Sequence, residues 1–223
     1  MHQLRHPLSL AFIALALADL AALAVAPSAH PFTKSLLMPV LAALHLALRR
    51  REAARGPGAW VLAALALSWA GDLLLLAPSL FLPGLGAFLF AHLALIVAYR
   101  RHRSRDQGAR NWALAVGAIS VAMGLALVAT LVPKLGPLGA PVLAYAAVLV
   151  AMVSTAAARA RRTSVESGAV TLAGATLFFL SDGLLAIDKF AAQIPHAGLF
   201  VMSTYDLGQL LIVVGLAAHR PNE

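Results

Sequence analysis

Long apolar runs separated by short polar connections constrain the fold of this chain more than any other feature. A helix needs about 20 apolar residues to cross the hydrocarbon core of a bilayer. Eight runs near that length occur, at residues 8–26, 33–49, 59–77, 83–100, 111–132, 138–158, 168–187 and 197–218. No barrel-like alternation is visible, and lipid cannot satisfy exposed backbone groups. We therefore predict an all-α fold, in which residues 1–223 form one polytopic membrane domain of eight transmembrane helices.

The composition agrees with a membrane protein and excludes several classes. Hydrophobic residues make up 61% of the chain and charged residues only 12%, whereas soluble domains carry about 25% charged residues. The net charge of +8 comes from arginines grouped between apolar runs, so we interpret it as setting topology and predict no nucleic-acid partner. The absence of cysteine excludes disulfides and thiolate chemistry.

The basic residues predict an orientation, because cytoplasmic loops of membrane proteins are enriched in Lys and Arg. If every run crosses once, Lys34, Lys134 and Lys189 fall on one side. The other 14 basic residues fall on the opposite side: Arg5, Arg49, Arg50, Arg51, Arg55, Arg100, Arg101, Arg103, Arg105, Arg110, Arg159, Arg161, Arg162 and Arg220. We therefore predict a multi-pass protein of the cell (inner) membrane with both termini cytoplasmic.

The first apolar run has two interpretations. A basic start and small residues near a potential cleavage point are typical of a secretory signal peptide. Asp19 interrupts the run, however, and the run is long for the apolar part of such a signal. We favour a retained first helix, and both interpretations orient the remaining runs in the same way.

Four acidic residues lie inside the predicted membrane helices: Asp19, Asp72, Asp182 and Asp206. A charged side chain at mid-membrane costs about 2.5–3.5 kcal/mol on insertion scales, so such residues usually serve function. Asp72 and Asp182 each lie five residues before the outer end of an outward-running helix, which predicts one depth and one shared cavity. The alternative is that each only hydrogen-bonds a neighbouring helix.

Other polar side chains approach the same half of the membrane. Lys34 begins the second run, His92 lies nine residues into the fourth, and Tyr205 and Gln209 share a face of the eighth. These positions predict a polar cluster that opens toward the outer side. As alternatives, Lys34 can snorkel to the interface, and His92 can serve only as a helix–helix contact.

The third and seventh runs resemble each other. "SWAGDLLLL" and "FLSDGLLAI" each place an aspartate after small residues and before leucines, four helices apart and in the same direction. A parallel repeat of four plus four helices predicts this likeness, and low sequence complexity would also produce it.

The residues give no sign of a metal site. None of the eight histidines forms an i, i+4 pair inside an apolar run, and cysteine ligands are absent. Aspartate-rich magnesium motifs and glycine-rich phosphate loops are also missing. We therefore predict a site without metal or cofactor.

Several stretches in order along the chain resemble the YhhN-like lysoplasmalogenase family. They are "TKSLLMP", "GDLLLL", "FLPGLGAFLFAHLALIVAY", "GATLFFLSDGLLAIDKF" and "FVMSTYDLGQLLIV". The resemblance implies an eight-span membrane enzyme that hydrolyses the vinyl ether bond of lysoplasmalogens. Its products would be a fatty aldehyde and glycerophosphoethanolamine or glycerophosphocholine. The implied partners are a lysophospholipid substrate and membrane lipids.

The resemblance also implies the site residues. Asp72 and Asp182 match the family's two aspartates and are the predicted catalytic pair. The matching residues predicted to bind substrate are Lys34, His92, Ser181, Tyr205 and Gln209. Lys34 is predicted to bind the phosphate, and His92, Tyr205 and Gln209 to orient water or the glycerol hydroxyl. The chain departs from the family pattern at Ser35, Asp188 and Asp206.

The chemistry of vinyl ether hydrolysis suits a pair of aspartates. Protonation of the β-carbon gives an oxocarbenium ion, which water captures, and the hemiacetal then collapses to aldehyde and alcohol. The path needs a protonated acid and an anion beside the cation, much as glycosidases use two carboxylates. Two carboxylates in a pocket of low dielectric constant cannot easily ionise together, so one keeps its proton.

Two other functions use the same residues. Aspartates inside the membrane also relay protons in transporters, and a four-plus-four repeat suits alternating access. A structural or lipid-binding protein would use the aspartates only to join helices. Transport predicts proton-coupled flux without change in any lipid, and a structural role predicts that aspartate variants unfold.

Overall fold

The computed structural model describes residues 2–50, 53–101 and 111–219, and these residues form helices joined by short connections, with no β-strand. The α-helices are α1 (Pro7–Val25), α2 (His30–Arg49), α3 (Gly56–Leu75), α4 (Phe81–Arg101), α5 (Asn111–Leu135), α6 (Gly139–Ala160), α7 (Val165–Phe190) and α8 (Ala197–Ala217). The predicted all-α fold is confirmed. Five of the arginines used to predict the orientation lie outside the described residues: Arg51, Arg103, Arg105, Arg110 and Arg220.

Over the described residues, seven segments are long and apolar enough to cross a membrane. Five are single α-helices, a sixth, Pro78–Arg101, joins a short 3-10 helix to α4, and the seventh, Asn111–Ala160, spans 50 residues and contains both α5 and α6. Many large apolar side chains point outward, among them Leu17, Val25, Phe32, Phe90, Ile119, Leu125 and Phe200. A water-exposed surface would rarely carry so many. The chain is an all-helical, multi-pass membrane protein.

Local sequence signals explain where the helices begin and turn. Pro7 starts α1, and the His6 side chain accepts a hydrogen bond from the Leu8 amide. Ser164 caps α7 by accepting a hydrogen bond from the Ser167 amide. Gly136, between α5 and α6, has a φ of +48°, which residues with a Cβ adopt less readily.

Glycines bring α7 and α8 close together. A Cβ added to Gly208 would lie 3.0 Å from the carbonyl oxygen of Gly174, and one added to Gly215 would lie 2.7 Å from the Thr171 amide nitrogen. Small residues permit such close approach of membrane helices. This contact fixes the first half of α7 against the second half of α8.

Helices α1–α4 and α5–α8 make largely matching contacts. Helix α3 packs on α4 as α7 packs on α8, and α2 packs on α3 as α6 packs on α7. The halves meet through α2 with α8 and, correspondingly, through α6 with α4. The outermost helices differ, because α1 also contacts α8 whereas α5 contacts α7.

Arg159, predicted to lie in a cytoplasmic loop, belongs to α6 and is completely buried. Its guanidinium donates to Ser167 Oγ at 2.7 Å and to Thr171 Oγ1 at 3.1 Å. Helix α6 extends two residues beyond the predicted end of its apolar run. The arginine therefore faces polar groups of α7 instead of solvent.

Candidate active site

A cavity of about 340 Å³ lies at one end of the helical bundle. All eight helices line it, the odd-numbered ones near their C-terminal ends and the even-numbered ones near their N-terminal ends. Arg49 and Arg101, which end α2 and α4, lie at the opposite end of these helices. Most lining residues are apolar, including Leu23, Leu85, Leu127, Leu131, Val142, Leu149 and Met202, and Asp72 and Asp182 both reach the cavity.

Asp72, on α3, is buried, and both of its carboxylate oxygens are occupied. The ammonium nitrogen of Lys34, on α2, lies 3.4 Å from Oδ1. The hydroxyl of Tyr205, on α8, donates a hydrogen bond of 2.8 Å to Oδ2. The ammonium and the hydroxyl together stabilise the ionised form of this carboxylate.

Asp182, on α7, has different neighbours. The hydroxyl of Tyr145, on α6, donates to Oδ2, and Nε2 of His92, on α4, lies 3.5 Å from the same oxygen. Among the described residues, no lysine or arginine pairs with Asp182. Both neighbours approach Oδ2, so Oδ1 is the oxygen that is left for a proton or a substrate.

Aromatic rings fill the space around the two carboxylates. Phe178 lies 4.6 Å from the His92 ring and 5.2 Å from the Tyr205 ring, measured between centroids. Phe88 contacts both Phe178 and Tyr205 edge-on. These rings hold the polar side chains in place and limit the access of water to them.

The sequence matches a known family over most of its length. The model of the YhhN family matches residues 29–216. The chain belongs to the YhhN family. It is 36% identical to human lysoplasmalogenase TMEM86B over 163 residues, which are 68% of this chain and 60% of the human protein.

Two other relatives carry the same activity in their names. Pig lysoplasmalogenase TMEM86B is 32% identical over 188 residues, covering 81% of this chain and 73% of the pig protein. The lysoplasmalogenase of Mycobacterium tuberculosis is 35% identical over 161 residues, covering 70% and 59%. The match thus spans about 60% of the human and mycobacterial proteins. No solved structure matches the chain.

In this YhhN-family protein, five of the seven predicted site residues line one cavity: Lys34, Asp72, Ser181, Asp182 and Tyr205. Ser181 donates to the Val201 carbonyl oxygen at 3.0 Å, so its hydroxyl joins α7 to α8. His92 lies behind Asp182 and does not line the cavity.

Gln209 does not reach the cavity. Its amide nitrogen donates to Ser68 Oγ on α3 at 3.0 Å, and both side chains are buried. Gln209 does share the face of Tyr205, as the spacing predicts, but it lies one turn deeper, below the floor of the cavity. Its position therefore gives no support to a role in orienting water or the glycerol hydroxyl.

The two aspartates lie at different distances from the ends of their helices. Asp72 lies three residues before the end of α3, and Asp182 lies eight residues before the end of α7. At 1.5 Å per residue these distances are about 4.5 Å and about 12 Å. Helix α3 ends two residues before the end of its predicted apolar run and α7 continues three residues beyond its own, so these distances are unequal although both carboxylates reach one cavity. That the two aspartates share one depth in the membrane stays a prediction.

Tyr145 is the site residue that the sequence did not reveal. A tyrosine in an Ala- and Val-rich helix usually packs through its ring, so nothing in α6 singles it out. The spacing along the chain could have indicated it, however. Tyr145 precedes Asp182 by 37 residues, and Lys34 precedes Asp72 by 38, so each aspartate has a polar neighbour at a similar distance upstream.

The other two membrane aspartates lie outside the cavity lining. Asp19 accepts hydrogen bonds from Thr33 at 2.5 Å and from His30 at 2.9 Å, which join α1 to α2. Asp206 is buried on α8, and neither of its oxygens has a hydrogen-bond partner among the described residues. In the same part of the chain, no three His, Asp or Glu side chains gather as metal ligands would.

Proposed function

We propose that this protein hydrolyses the vinyl ether bond of lysoplasmalogens, releasing a fatty aldehyde and glycerophosphoethanolamine or glycerophosphocholine. The observation that carries the proposal is one apolar cavity that holds two carboxylates with unlike neighbours. The names of three relatives, each a lysoplasmalogenase, support the same reaction.

The unlike neighbours favour different roles for the two aspartates. Asp182 holds a proton on Oδ1 and transfers it to the β-carbon of the vinyl ether, while Tyr145 and His92 stabilise the Oδ2 side. Asp72, ion-paired with Lys34, stays anionic and stabilises the oxocarbenium ion that forms. Glycosidases use a similar arrangement: a carboxylic acid in apolar surroundings donates the proton, and a nearby carboxylate stabilises the oxocarbenium-like transition state.

Water completes the reaction. It attacks the carbon bonded to the ether oxygen and gives up a proton to Asp72. When the hemiacetal collapses, Asp72 returns its proton to the leaving glycerol oxygen and the hemiacetal hydroxyl gives its proton to Asp182, so the aldehyde forms and both carboxyl groups regain their starting states. Every atom comes from the lipid and one water molecule, and the two carboxylates exchange protons with them.

The architecture fits a bundle of eight spans with both termini on the cytoplasmic side of the cell (inner) membrane. Leu131 of α5 and Val142 of α6 both line the cavity, which means that the chain reverses direction between these helices. The matching helix contacts and the corresponding positions of Lys34 and Tyr145 support a four-plus-four repeat. In this orientation the cavity opens toward the outer side, where a lysophospholipid can enter from the outer leaflet.

The test uses protein purified in detergent. It is incubated separately with a lysoplasmenyl-ethanolamine, a lysoplasmenyl-choline and their saturated alkyl-ether analogues, each with and without EDTA, and fatty aldehyde is measured. We expect aldehyde from the vinyl ether alone and no effect of EDTA. No aldehyde from either ethanolamine or choline lysoplasmalogens would contradict the proposal, and proton-coupled flux in liposomes would then favour a transporter.

A further inference from the structure

Among the described residues that line the cavity, one ammonium has no acidic partner. Of the described residues that line it, His30, Lys34 and Lys189 are basic. His30 pairs with Asp19 at 2.9 Å, and Lys34 pairs with Asp72 at 3.4 Å. Lys189 is exposed at the rim and has no carboxylate partner among the described residues. A cation left free in a mostly apolar cavity attracts an anionic part of a ligand.

The side chain of Lys189 is held at the rim by an aromatic ring. Its ammonium nitrogen lies 5.2 Å from the centroid of Phe81, a distance typical of a cation–π contact. Phe81 is itself fixed edge-on against Phe190, with 5.8 Å between centroids. The neighbouring acid, Asp188, accepts a hydrogen bond from the Ile194 amide at 2.8 Å and so stabilises the α7–α8 connection.

The position of Lys189 relative to Asp182 matches the dimensions of a single-chain phospholipid. Both residues lie on α7, seven positions and two turns apart, so they share a face and are separated by about 10.5 Å along the helix. In a lysoplasmalogen, seven bonds join the protonated vinyl carbon to the phosphorus. With bonds near 1.5 Å, this length is roughly 9 Å when extended.

We propose that Lys189, supported by the Phe81 ring, binds the phosphate of a lysophospholipid whose ether bond lies at Asp182. This subsite rests on the proposed function. It assigns the phosphate to Lys189 instead of Lys34, because Asp72 already neutralises the ammonium of Lys34. The ligand is a phosphodiester that is carried by a lipid, and free inorganic phosphate lacks the chain that fills the apolar part of the cavity.

Binding of lipids that cannot be hydrolysed tests the subsite without depending on catalysis. The probes are hexadecyl-ether lysophosphoethanolamine and hexadecylglycerol ether, which differ by the phosphate headgroup, and the readout is the dissociation constant in detergent. Lys189→Gln should weaken binding of the phospholipid about tenfold, or about 1.4 kcal/mol, and leave hexadecylglycerol binding unchanged. Lys189→Arg should keep binding near that of the unaltered protein.

Lys134 provides the matched control. It is a lysine at the same end of the bundle, but its ammonium donates to the Ala191 carbonyl oxygen at 3.0 Å and it does not line the cavity. Lys134→Gln should leave the binding of both lipids unchanged. An equal loss of phospholipid binding in Lys134→Gln and Lys189→Gln would show a general surface-charge effect and overturn the proposal.

The remaining outcomes separate this proposal from the proposed function. If the protein releases aldehyde but Lys189→Gln binds both lipids as the unaltered protein does, the phosphate subsite is wrong and the hydrolase stands. If binding of the phospholipid depends on Lys189 but no aldehyde is released, the subsite stands and the reaction is wrong. Displacement of the phospholipid by millimolar inorganic phosphate, lost in Lys189→Gln, would overturn the lipid as the source of the phosphate.

Discussion

The ammonium of Lys34 lies 3.4 Å from Oδ1 of Asp72, inside a bundle where both side chains are largely shielded from solvent. Asp182 shares the cavity but faces a tyrosine hydroxyl and a histidine nitrogen. The two aspartates thus line one cavity and differ in their charged and polar neighbours. Because of this difference, Asp72 suits the role of an anion and Asp182 the role of a proton donor in the proposed reaction.

Removing Lys34 should damage both stability and activity, because Asp72 would be left as a buried charge without a partner. Loss of one member of a buried ion pair costs about 3–5 kcal/mol. Lys34→Met should therefore lower the melting temperature in detergent and abolish aldehyde release. The double variant Lys34→Met/Asp72→Asn should regain most of the stability and none of the activity. A Lys34→Met protein of unaltered stability would contradict the buried ion pair.

Removing the Tyr145 hydroxyl should slow catalysis without weakening substrate binding. Asp182 becomes charged as it gives up its proton, and a hydrogen bond to a charged group contributes about 1.5–3 kcal/mol. Tyr145→Phe should therefore lower kcat roughly 10–100-fold and leave KM nearly unchanged. Tyr99→Phe is the control, because the Tyr99 hydroxyl is buried without a hydrogen-bond partner among the described residues. If both variants keep full kcat, Tyr145 has no part in positioning Asp182.

The buried Asp206 carboxyl group should lower the stability of the folded protein. Both of its oxygens are buried without a hydrogen-bond partner in the described part of the chain, and an unsatisfied buried polar group costs about 1–3 kcal/mol. Asp206→Leu removes both unsatisfied oxygens at similar volume and should raise the melting temperature by about 2–4 °C. Asp19→Leu, in contrast, should lower it, because Asp19 pairs with His30 and Thr33. A lower melting temperature for Asp206→Leu would show that the Asp206 carboxyl group is stabilising.

His219, which follows the last helix, should make stability sensitive to acid. Burial, together with nearby Arg159 and Arg49, lowers the pKa of His219 to about 4. The folded chain therefore keeps this imidazole neutral while the unfolded chain protonates it near its usual pKa of 6.5. The contribution is complete above pH 6.5 and is lost as the pH falls toward 4. Melting temperatures of the unaltered protein and of His219→Gln, measured from pH 7 to pH 4, should converge in acid. A constant difference across this range would contradict a neutral, buried His219.

Much of the fold follows from single-residue energetics. Apolar runs predict the helices because each residue in lipid contributes independently to the cost of crossing. The same cost singles out Asp72, Asp182 and Lys34, whose charges have no reason to lie in a membrane helix unless they have a partner or a function.

Pairing between helices could not be predicted in the same way. Gln209 looks like a site residue on its own helix, but its amide bonds Ser68 across the bundle. Tyr145 looks like a packing residue, yet its hydroxyl reaches Asp182 because α6 and α7 are adjacent. Arg159 looks like a loop residue, yet hydroxyl groups of α7 hold it inside the bundle. Each depends on a neighbour that only the packed structure supplies.

The most direct test of the account compares aldehyde release by Asp182→Asn and by Asp188→Asn with that of the unaltered protein. Both variants remove one carboxylate from the same helix, but Asp188 caps the α7–α8 connection and takes no part in the proposed proton transfer. With lysoplasmenyl-ethanolamine as substrate, we expect Asp182→Asn to be folded and inactive and Asp188→Asn to stay active. A folded Asp182→Asn protein that releases aldehyde at the unaltered rate would contradict Asp182 as the acid.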